Sequence, residues 1–437
     1  MSLKTPEKLR KLQRALYAKA KEEPQYRFYL LYDKVYGKDL LEFAYRKCKA
    51  NGGAPGVDGQ SFEDIEAYGR EQWLRKRAEE LQSKGYRADA VRRVWIEKAN
   101  GGQRPLGIPT IRDRVVQMAV VLVIEPIFEA DFEPEQYGYR PGRSALGAIR
   151  KVHEHLNTGH REVVDADLSG YFDTIPHGAL VKSVARRISD KHLLKLIKRW
   201  LKAPIQETRG SGPRRGQASR TGTPQGSPLS PLLANVYIRR LIVAWKGLGF
   251  EHRLQARMVN YADDLVICCR GEAEAALRAL KQIVEGLQLS LNEQKTRIRR
   301  VPDESFDFLG YTLGRCYSSQ TGKSYLGTRP SKPRITRICR EISAATSPRW
   351  LLLETEQMVD QLNRKLVGWS NYFCLGPVSK AYRVVDSHTR NRLRRWLRKK
   401  HKVPSQGTTR FPDEYLYDRL QLVRLEPRTR DFPWAHA

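Results

Sequence analysis

The sequence predicts an α+β protein in which strands and helices interleave to about residue 330 and helices alone follow. Three observations carry this. Short β-branched or alternating runs (Val91-Arg-Arg-Val-Trp-Ile96, Glu162–Leu168, Met258–Ile267) read as strands between helix-periodic stretches. Beyond residue 330 no strand pattern recurs. That last stretch also carries 22 Lys and Arg against 10 Asp and Glu. With 437 residues the chain can bury a large core in two or three units. We divide it into a basic N-terminal extension (1–50), a mixed unit (51–330), a helical unit (331–402) and a short tail (403–437).

Residues 1–50 are largely helical in pattern, with Tyr17, Tyr26, Tyr29 and Tyr32 able to cover a surface. Asn51-Gly-Gly-Ala-Pro-Gly-Val-Asp-Gly59 is a loop by its glycine and proline content. A strand from Val91 turns at Asn100-Gly-Gly102 and returns through Arg104–Ile108, a hairpin. Val115–Phe128 is long and apolar enough for a buried helix, kinked near its end by Pro126. Glu162–Leu168 is a strand ending in a turn. A helix over 190–202 starts near Asp190 and places Leu193, Leu194, Ile197 and Leu201 on one stripe. Helices at 229–246 and 272–287 flank the hairpin Met258–Ile267, and a strand pair at 305–313 closes the unit. Residues 331–345, 354–373 and 379–402 read as helices.

The dominant compositional signal is charge: Lys plus Arg is 79 against 48 acidic residues, a net of +31. A polyanionic partner, nucleic acid, is the direct explanation. No apolar run reaches the roughly 20 residues that cross a bilayer, and the N-terminus lacks a secretory pattern, so a cytoplasmic protein with no membrane partner is expected. The six cysteines (Cys48, Cys268, Cys269, Cys316, Cys339, Cys374) show no CxxC spacing, and neighbours on a strand such as Cys268 and Cys269 face opposite ways. Reduced cysteines are expected rather than disulfides or a zinc site.

Tyr261-Ala-Asp-Asp264 is the sharpest motif. Two adjacent carboxylates inside an apolar hairpin are costly unless a cation neutralises them, and Mg²⁺ prefers hard oxygen donors. Asp167 closes a second apolar strand and precedes Leu168-Ser-Gly-Tyr-Phe172-Asp173. Three carboxylates from two strand ends can hold two metal ions about 3.5–4 Å apart, the arrangement that activates a hydroxyl and steadies a leaving phosphate.

The order of motifs resembles the reverse transcriptases of mobile group II introns, the intron-encoded polymerase and maturase family. The resemblance runs from about Gly53 to Asn371. It rests on Gly53–Gly59, on Lys98 through Arg104-Pro-Leu-Gly-Ile-Pro109 with Arg112-Asp-Arg114, and on Tyr137-Gly-Tyr-Arg-Pro-Gly-Arg-Ser144. It continues through Asp167–Asp173, Gly222-Thr-Pro-Gln-Gly-Ser-Pro-Leu-Ser-Pro231, Tyr261–Asp264, Asn292–Lys295 and Phe308-Leu-Gly-Tyr311. Ser227 stands where the family often has glycine.

The resemblance implies a right-hand polymerase with fingers, a palm built on an antiparallel sheet and a helical thumb. It implies an RNA-directed DNA polymerase using two Mg²⁺ ions (Mn²⁺ may replace them) on Asp167, Asp263 and Asp264. Lys98 and Arg104 would grip a deoxynucleoside triphosphate. Leu168, Gln225, Gly226 and Lys295 would contact the nucleotide, and Phe172 would exclude a 2′-hydroxyl. Asp165 lies deeper on the face of Asp167, and Asp173 belongs to the following turn; both are weaker metal ligands. The partners implied are an RNA template, intron RNA, and a DNA primer or target, with splicing and retrohoming as the cellular role. The basic helix with Arg390, Arg394, Arg398 and Lys402 would track phosphates, near the aromatic signature Gly368–Phe373. Eight cations and no acid occupy 390–402. No Cys/His-rich nuclease module follows the thumb pattern, so priming would come from a nascent strand, an existing 3′ end or another protein. Two alternatives share much of this sequence: a domesticated relative acting in DNA repair or phage defence, and a non-catalytic RNA-binding splicing cofactor. The complete set Asp167, Asp263, Asp264, Gln225 and Lys98 argues against the second.

Overall fold

The computed structural model describes residues 3–97, 102–208, 213–215, 220–318, 321–404 and 407–431. In chain order the strands are β1 (Val91–Glu97), β2 (Gln103–Ile108), β3 (Glu162–Asp167), β4 (Ile205–Thr208), β5 (Pro213–Arg215), β6 (Ala256–Tyr261), β7 (Asp264–Cys269), β8 (Arg297–Arg300), β9 (Phe306–Phe308), β10 (Tyr311–Tyr317) and β11 (Ser324–Pro330). They form three sheets, ordered β2-β1-β4-β5, β6-β7-β3-β8 and β11-β10-β9. The expected strand pairs β1–β2, β6–β7 and β9–β10 are all present, while the turn expected at Asn100-Gly-Gly102 lies, but for Gly102, outside the described residues. β4, β5, β8 and β11 were not anticipated, being short or polar; β8 reads Arg-Ile-Arg-Arg.

The central sheet β6-β7-β3-β8 is antiparallel throughout, with Asp167 opposite Asp264. Alternation sends Val164, Ala166, Leu265 and Ile267 into the large core beneath one face. Val163, Val259, Val266 and Cys268 go the other way, against the helix Ala145–Asn157 and the strands β9 and β10. Cys268 and Cys269 thus lie in opposite layers, both fully buried, and all six cysteines are free thiols.

The helix Ile111–Glu129 is apolar on all sides through its middle, apart from Gln117, and is buried there all round, with every residue from Val115 to Ile124 enclosed. It runs through Pro126 to Glu129. Proline removes the hydrogen bond to the carbonyl four residues back, and that carbonyl, Leu122 O, accepts instead from Gln13 Nε2 at 2.9 Å. The helices Glu7–Glu22 and Lys38–Asn51 pack on this one. The carboxylate of Asp190 caps the helix Lys191–Leu201 through His192 N and Leu193 N, while its other oxygen accepts from Leu31 N and Tyr32 N at 2.9 and 2.8 Å. The proposed extension 1–50 therefore shares the main core.

The C-terminal helices Lys332–Ala345, Thr355–Tyr372 and Ser379–Lys400 enclose a separate core around Ile342, Met358, Leu362, Val385 and Trp396. Phe411, Leu416, Leu422 and Leu425 complete it, and Asp386 accepts from Leu425 N at 2.9 Å. Residues 411–425 are thus part of the helical unit rather than of a separate tail. Gly368–Phe373 forms the joint to the centre: Tyr372 Oη donates to Leu309 O at 2.7 Å, and Cys374 N donates to Tyr311 Oη at 2.9 Å.

Candidate active site

The carboxylates meet because two strand ends coincide. Tyr261 and Asp264 close the β6–β7 hairpin around a two-residue turn, Ala262-Asp263. Ala262 has φ +57, a left-handed conformation that side chains resist. Two neighbours impose it. The buried Asn260 spans the turn, its Nδ2 donating to Ala262 O at 2.9 Å and Asp264 O at 3.2 Å. Gly138 lies so close that a Cβ there would stand 2.6 Å from Ala262 N. Tyr137 N and Asn260 N clamp the same segment, donating to Asn260 O and Glu135 O at 2.9 Å each. Neither Asn260 nor Gly138 was picked out from sequence; a polar residue inside the apolar run Met258–Ile267 was the available signal for the first.

Asp167 pairs across from Asp264, and its Oδ2 accepts from Lys295 Nζ at 3.0 Å. The turn after β3 is anchored by Ser169 N donating to Ser290 O at 2.8 Å and Asn292 N to Asp167 O at 2.8 Å. The loop that brings Lys295 is thereby tied to the strand that ends in Asp167. Burial, then Asp263, Asp167 and Asp165, push the Asp264 carboxyl up to about 7, against a smaller opposing effect of Lys295. Asp165, one pleat deeper, is raised to about 6 by burial, partly offset by Arg299. Four carboxylates (Asp165, Asp167, Asp263 and Asp264) face Lys295 and Arg299, a surplus of negative charge that a divalent cation with oxygen preference would neutralise. As the side chains stand, no three His, Cys, Asp or Glu groups among the described residues close on one point as a ligand set.

A cleft of about 520 Å³ is bordered by Leu106, Tyr139, Phe172, Gln225, Gly226 and Ser227, Tyr139 being the chain neighbour of the Gly138 that abuts the Ala262 turn. Phe172 is buried in the short helix Tyr171–Thr174 and meets Tyr139 edge-on at 6.2 Å. Tyr139 is half exposed and holds φ +54. Gly226, at φ +128, could not carry a side chain: a Cβ would meet Gly107 O at 2.5 Å. Gln225 Nε2 lies 3.4 Å from Asp173 Oδ2. Leu168 is another matter, for its side chain is in the core and only its backbone could reach a nucleotide. Arg104 lies on β2 opposite Ile96, its side chain outside the described set, and Lys98 lies outside the described residues.

The basic helix differs from expectation. Arg390 Nη1 pairs with Asp413 at 2.8 Å, and Arg394 pairs with the same carboxylate while Nε donates to Phe411 O at 2.9 Å. These two arginines hold the last segment onto the helical unit. Lys402 falls beyond the end of the helix Ser379–Lys400, with φ +50. Arg398 is half-buried. The exposed cations of this helix are Lys380, Arg383, Arg395 and Lys399. Arg390, Arg394, Arg398 and Lys402 therefore do not form one solvent face.

Comparison with known proteins shows the family. Residues 96–313 match the family model for reverse transcriptase (RNA-dependent DNA polymerase), and residues 335–412 match that for the group II intron maturase-specific domain. The chain belongs to the group II intron-encoded reverse transcriptase and maturase family. It is 34% identical to Protein YkfC of Escherichia coli, over 74% of this chain and 92% of that protein. It is 35% identical to the group II intron-encoded protein LtrA of Lactococcus lactis, over 49% of this chain and 35% of LtrA. It is 26% identical to a 91 kDa protein in the cob intron of Schizosaccharomyces pombe, covering half of that protein. The chain thus spans about a third to a half of these two intron-encoded relatives. RNA-directed DNA polymerase is the family's activity, divalent metal its usual requirement and nucleic acid its partner. No helix among the described residues is long and apolar enough to cross a membrane.

Proposed function

We propose that this chain copies RNA into DNA with two Mg²⁺ ions on Asp167, Asp263 and Asp264, in a right-hand arrangement. The sheet β2-β1-β4-β5 and its helices act as fingers, the central sheet as palm and the helices after 331 as thumb. The observation that carries the reading is the register of β3 against β7, which sets Asp167 opposite Asp264 with Asp263 at the adjoining turn.

Bound at these carboxylates, Mg²⁺ supplies the positive charge that makes a primer 3′-hydroxyl acidic and steadies the triphosphate. The chain's own residues do the rest. Asn260 and Gly138 hold the backbone of the turn that carries Asp263 and leads into Asp264, leaving the carboxylates to close on the cation by side-chain rotation. The deoxynucleoside triphosphate enters the cleft with its sugar over Phe172, whose ring leaves no room for a 2′-hydroxyl. Gln225 and the bare backbone at Gly226 meet the nucleotide, with Lys98 and Arg104 on the triphosphate. Lys295, released from Asp167, offers its ammonium proton or charge to the departing pyrophosphate. The helical unit binds the template and the intron RNA, assisting splicing and the return of the intron to DNA.

Primer extension on an RNA template with deoxynucleotides tests this. The Asp263→Ala, Asp264→Ala double variant should lose extension while retaining RNA affinity; extension that survives would place the metal centre elsewhere.

A further inference from the structure

A second concave site lies away from the carboxylates. It is a pocket of about 750 Å³ between the helices His177–Ala185 and Ser230–Gly247, with the loop after Ala273–Gly286 and residues 24–25 at its rim. It shares no lining residue with the nucleotide cleft. Its wall carries Lys182, Arg186, Arg187, Arg239 and Arg240 against one carboxylate, Asp131.

That carboxylate is already engaged. Asp131 Oδ2 lies 3.4 Å from Arg187 Nε, and Arg239 pairs with Glu133 at 3.2 Å. Arg187 is buried and spends its guanidinium on the Ala20, Glu23 and Pro24 carbonyls. Lys182, Arg186 and Arg240 remain without an ion pair among the described residues; Arg240 rests on the Tyr237 ring at 5.2 Å. Lys182 and Arg186 are one helical turn apart on the exposed side of a helix that has no acidic residue. They lie at the C-terminal end of the helix, where the dipole favours positive charge, but at that spacing they also repel one another, so the fold gains little from holding both. A concave wall of low dielectric focuses such uncompensated charge outward.

We propose that this pocket binds backbone phosphates of a folded RNA at a site separate from the primer–template track, with Lys182, Arg186 and Arg240 as the contacting cations. Arginine forks and a lysine point charge suit phosphodiester oxygens. The proposal does not rest on the assignment of the nucleotide cleft, and the experiment keeps the two apart.

The variant Lys182→Gln, Arg186→Gln, Arg240→Gln is compared with the parent chain in filter binding across a salt series. One ligand is a long folded RNA and the other a short primer–template hybrid; extension of the hybrid is followed in parallel. The expected result is a salt slope on the folded RNA lower by roughly 2–3, at 0.7–0.9 for each lost contact, with hybrid binding and extension unchanged. The Lys182→Arg, Arg186→Lys exchange should keep the parent slope. Should Arg240→Gln disturb folding through Tyr237, seen as a lowered melting transition, the Lys182→Gln, Arg186→Gln pair alone should lower the slope by roughly 1.4–1.8. An unchanged slope on the folded RNA would overturn the proposal. So would an equal loss on the short hybrid, which would put the pocket on the primer–template track.

Discussion

Replacing Asp264 with Asn should stabilise the metal-free protein while abolishing extension. The Asp264 carboxyl sits at about 7 in the folded chain against 3.8 when solvated, because burial and three neighbouring carboxylates oppose its charge. The folded state therefore holds this proton more tightly than the unfolded state. Stability contributed by the protonated form is present at low pH and is lost as pH rises from about 4 through 7. At about pH 7.5 the charged carboxylate costs roughly 4 kcal/mol, as an order of magnitude, since each tenfold change in proton affinity is about 1.4 kcal/mol. Asparagine removes the charge at similar volume. For a chain of 437 residues unfolding as one unit, that corresponds to a rise of about 4 °C in Tm. Thermal unfolding in EDTA at pH 5 and at pH 7.5 measures it. The gain should shrink at pH 5, where the parent is mostly protonated. Adding Mg²⁺ at pH 7.5 should stabilise the parent and leave Asp264→Asn nearly unmoved. A variant less stable than the parent at pH 7.5 in EDTA would refute the electrostatic reasoning.

Four further outcomes follow from the geometry. Phe172→Ala should admit ribonucleotides, read as a rise in ribo- over deoxynucleotide incorporation; an unchanged ratio would return Phe172 to a purely packing role. Gly138→Ala should cut kcat by pushing the Ala262 backbone, since a Cβ has only 2.6 Å there, with RNA affinity kept in filter binding. Asn260→Ala should destabilise by about 1–3 kcal/mol in urea unfolding and lower kcat more than it alters KM, because two turn carbonyls lose their donor. Neutralising Arg395 and Lys399 to Gln should weaken RNA binding, whereas Arg390→Gln with Arg394→Gln should chiefly lower Tm, because those arginines hold Asp413; equal effects on binding would restore the full basic stripe.

The sequence by itself determined the family, its polymerase activity and the strands that carry the three aspartates. Three aspartates at the ends of apolar runs are legible because burying such groups has few explanations other than a cation, and alternation placed β3, β6 and β7 without ambiguity. The motif order was equally local, so the family was readable before any contact was known. Tertiary structure decided what depends on distant partners. That Asp167 faces Asp264 is a register between strands nearly a hundred residues apart, and Lys295 joins them through a loop with no pattern of its own. Asn260 and Gly138 looked ordinary until the turn they brace was folded against them. Pro126, a breaker by local rules, is tolerated because Gln13 takes the carbonyl it strands. The basic run 390–402 shows the same limit from the other side. Its charge is in the sequence, but which cations face solvent depends on Asp413 folding back, and a helical repeat carries no information about a partner supplied by a later segment.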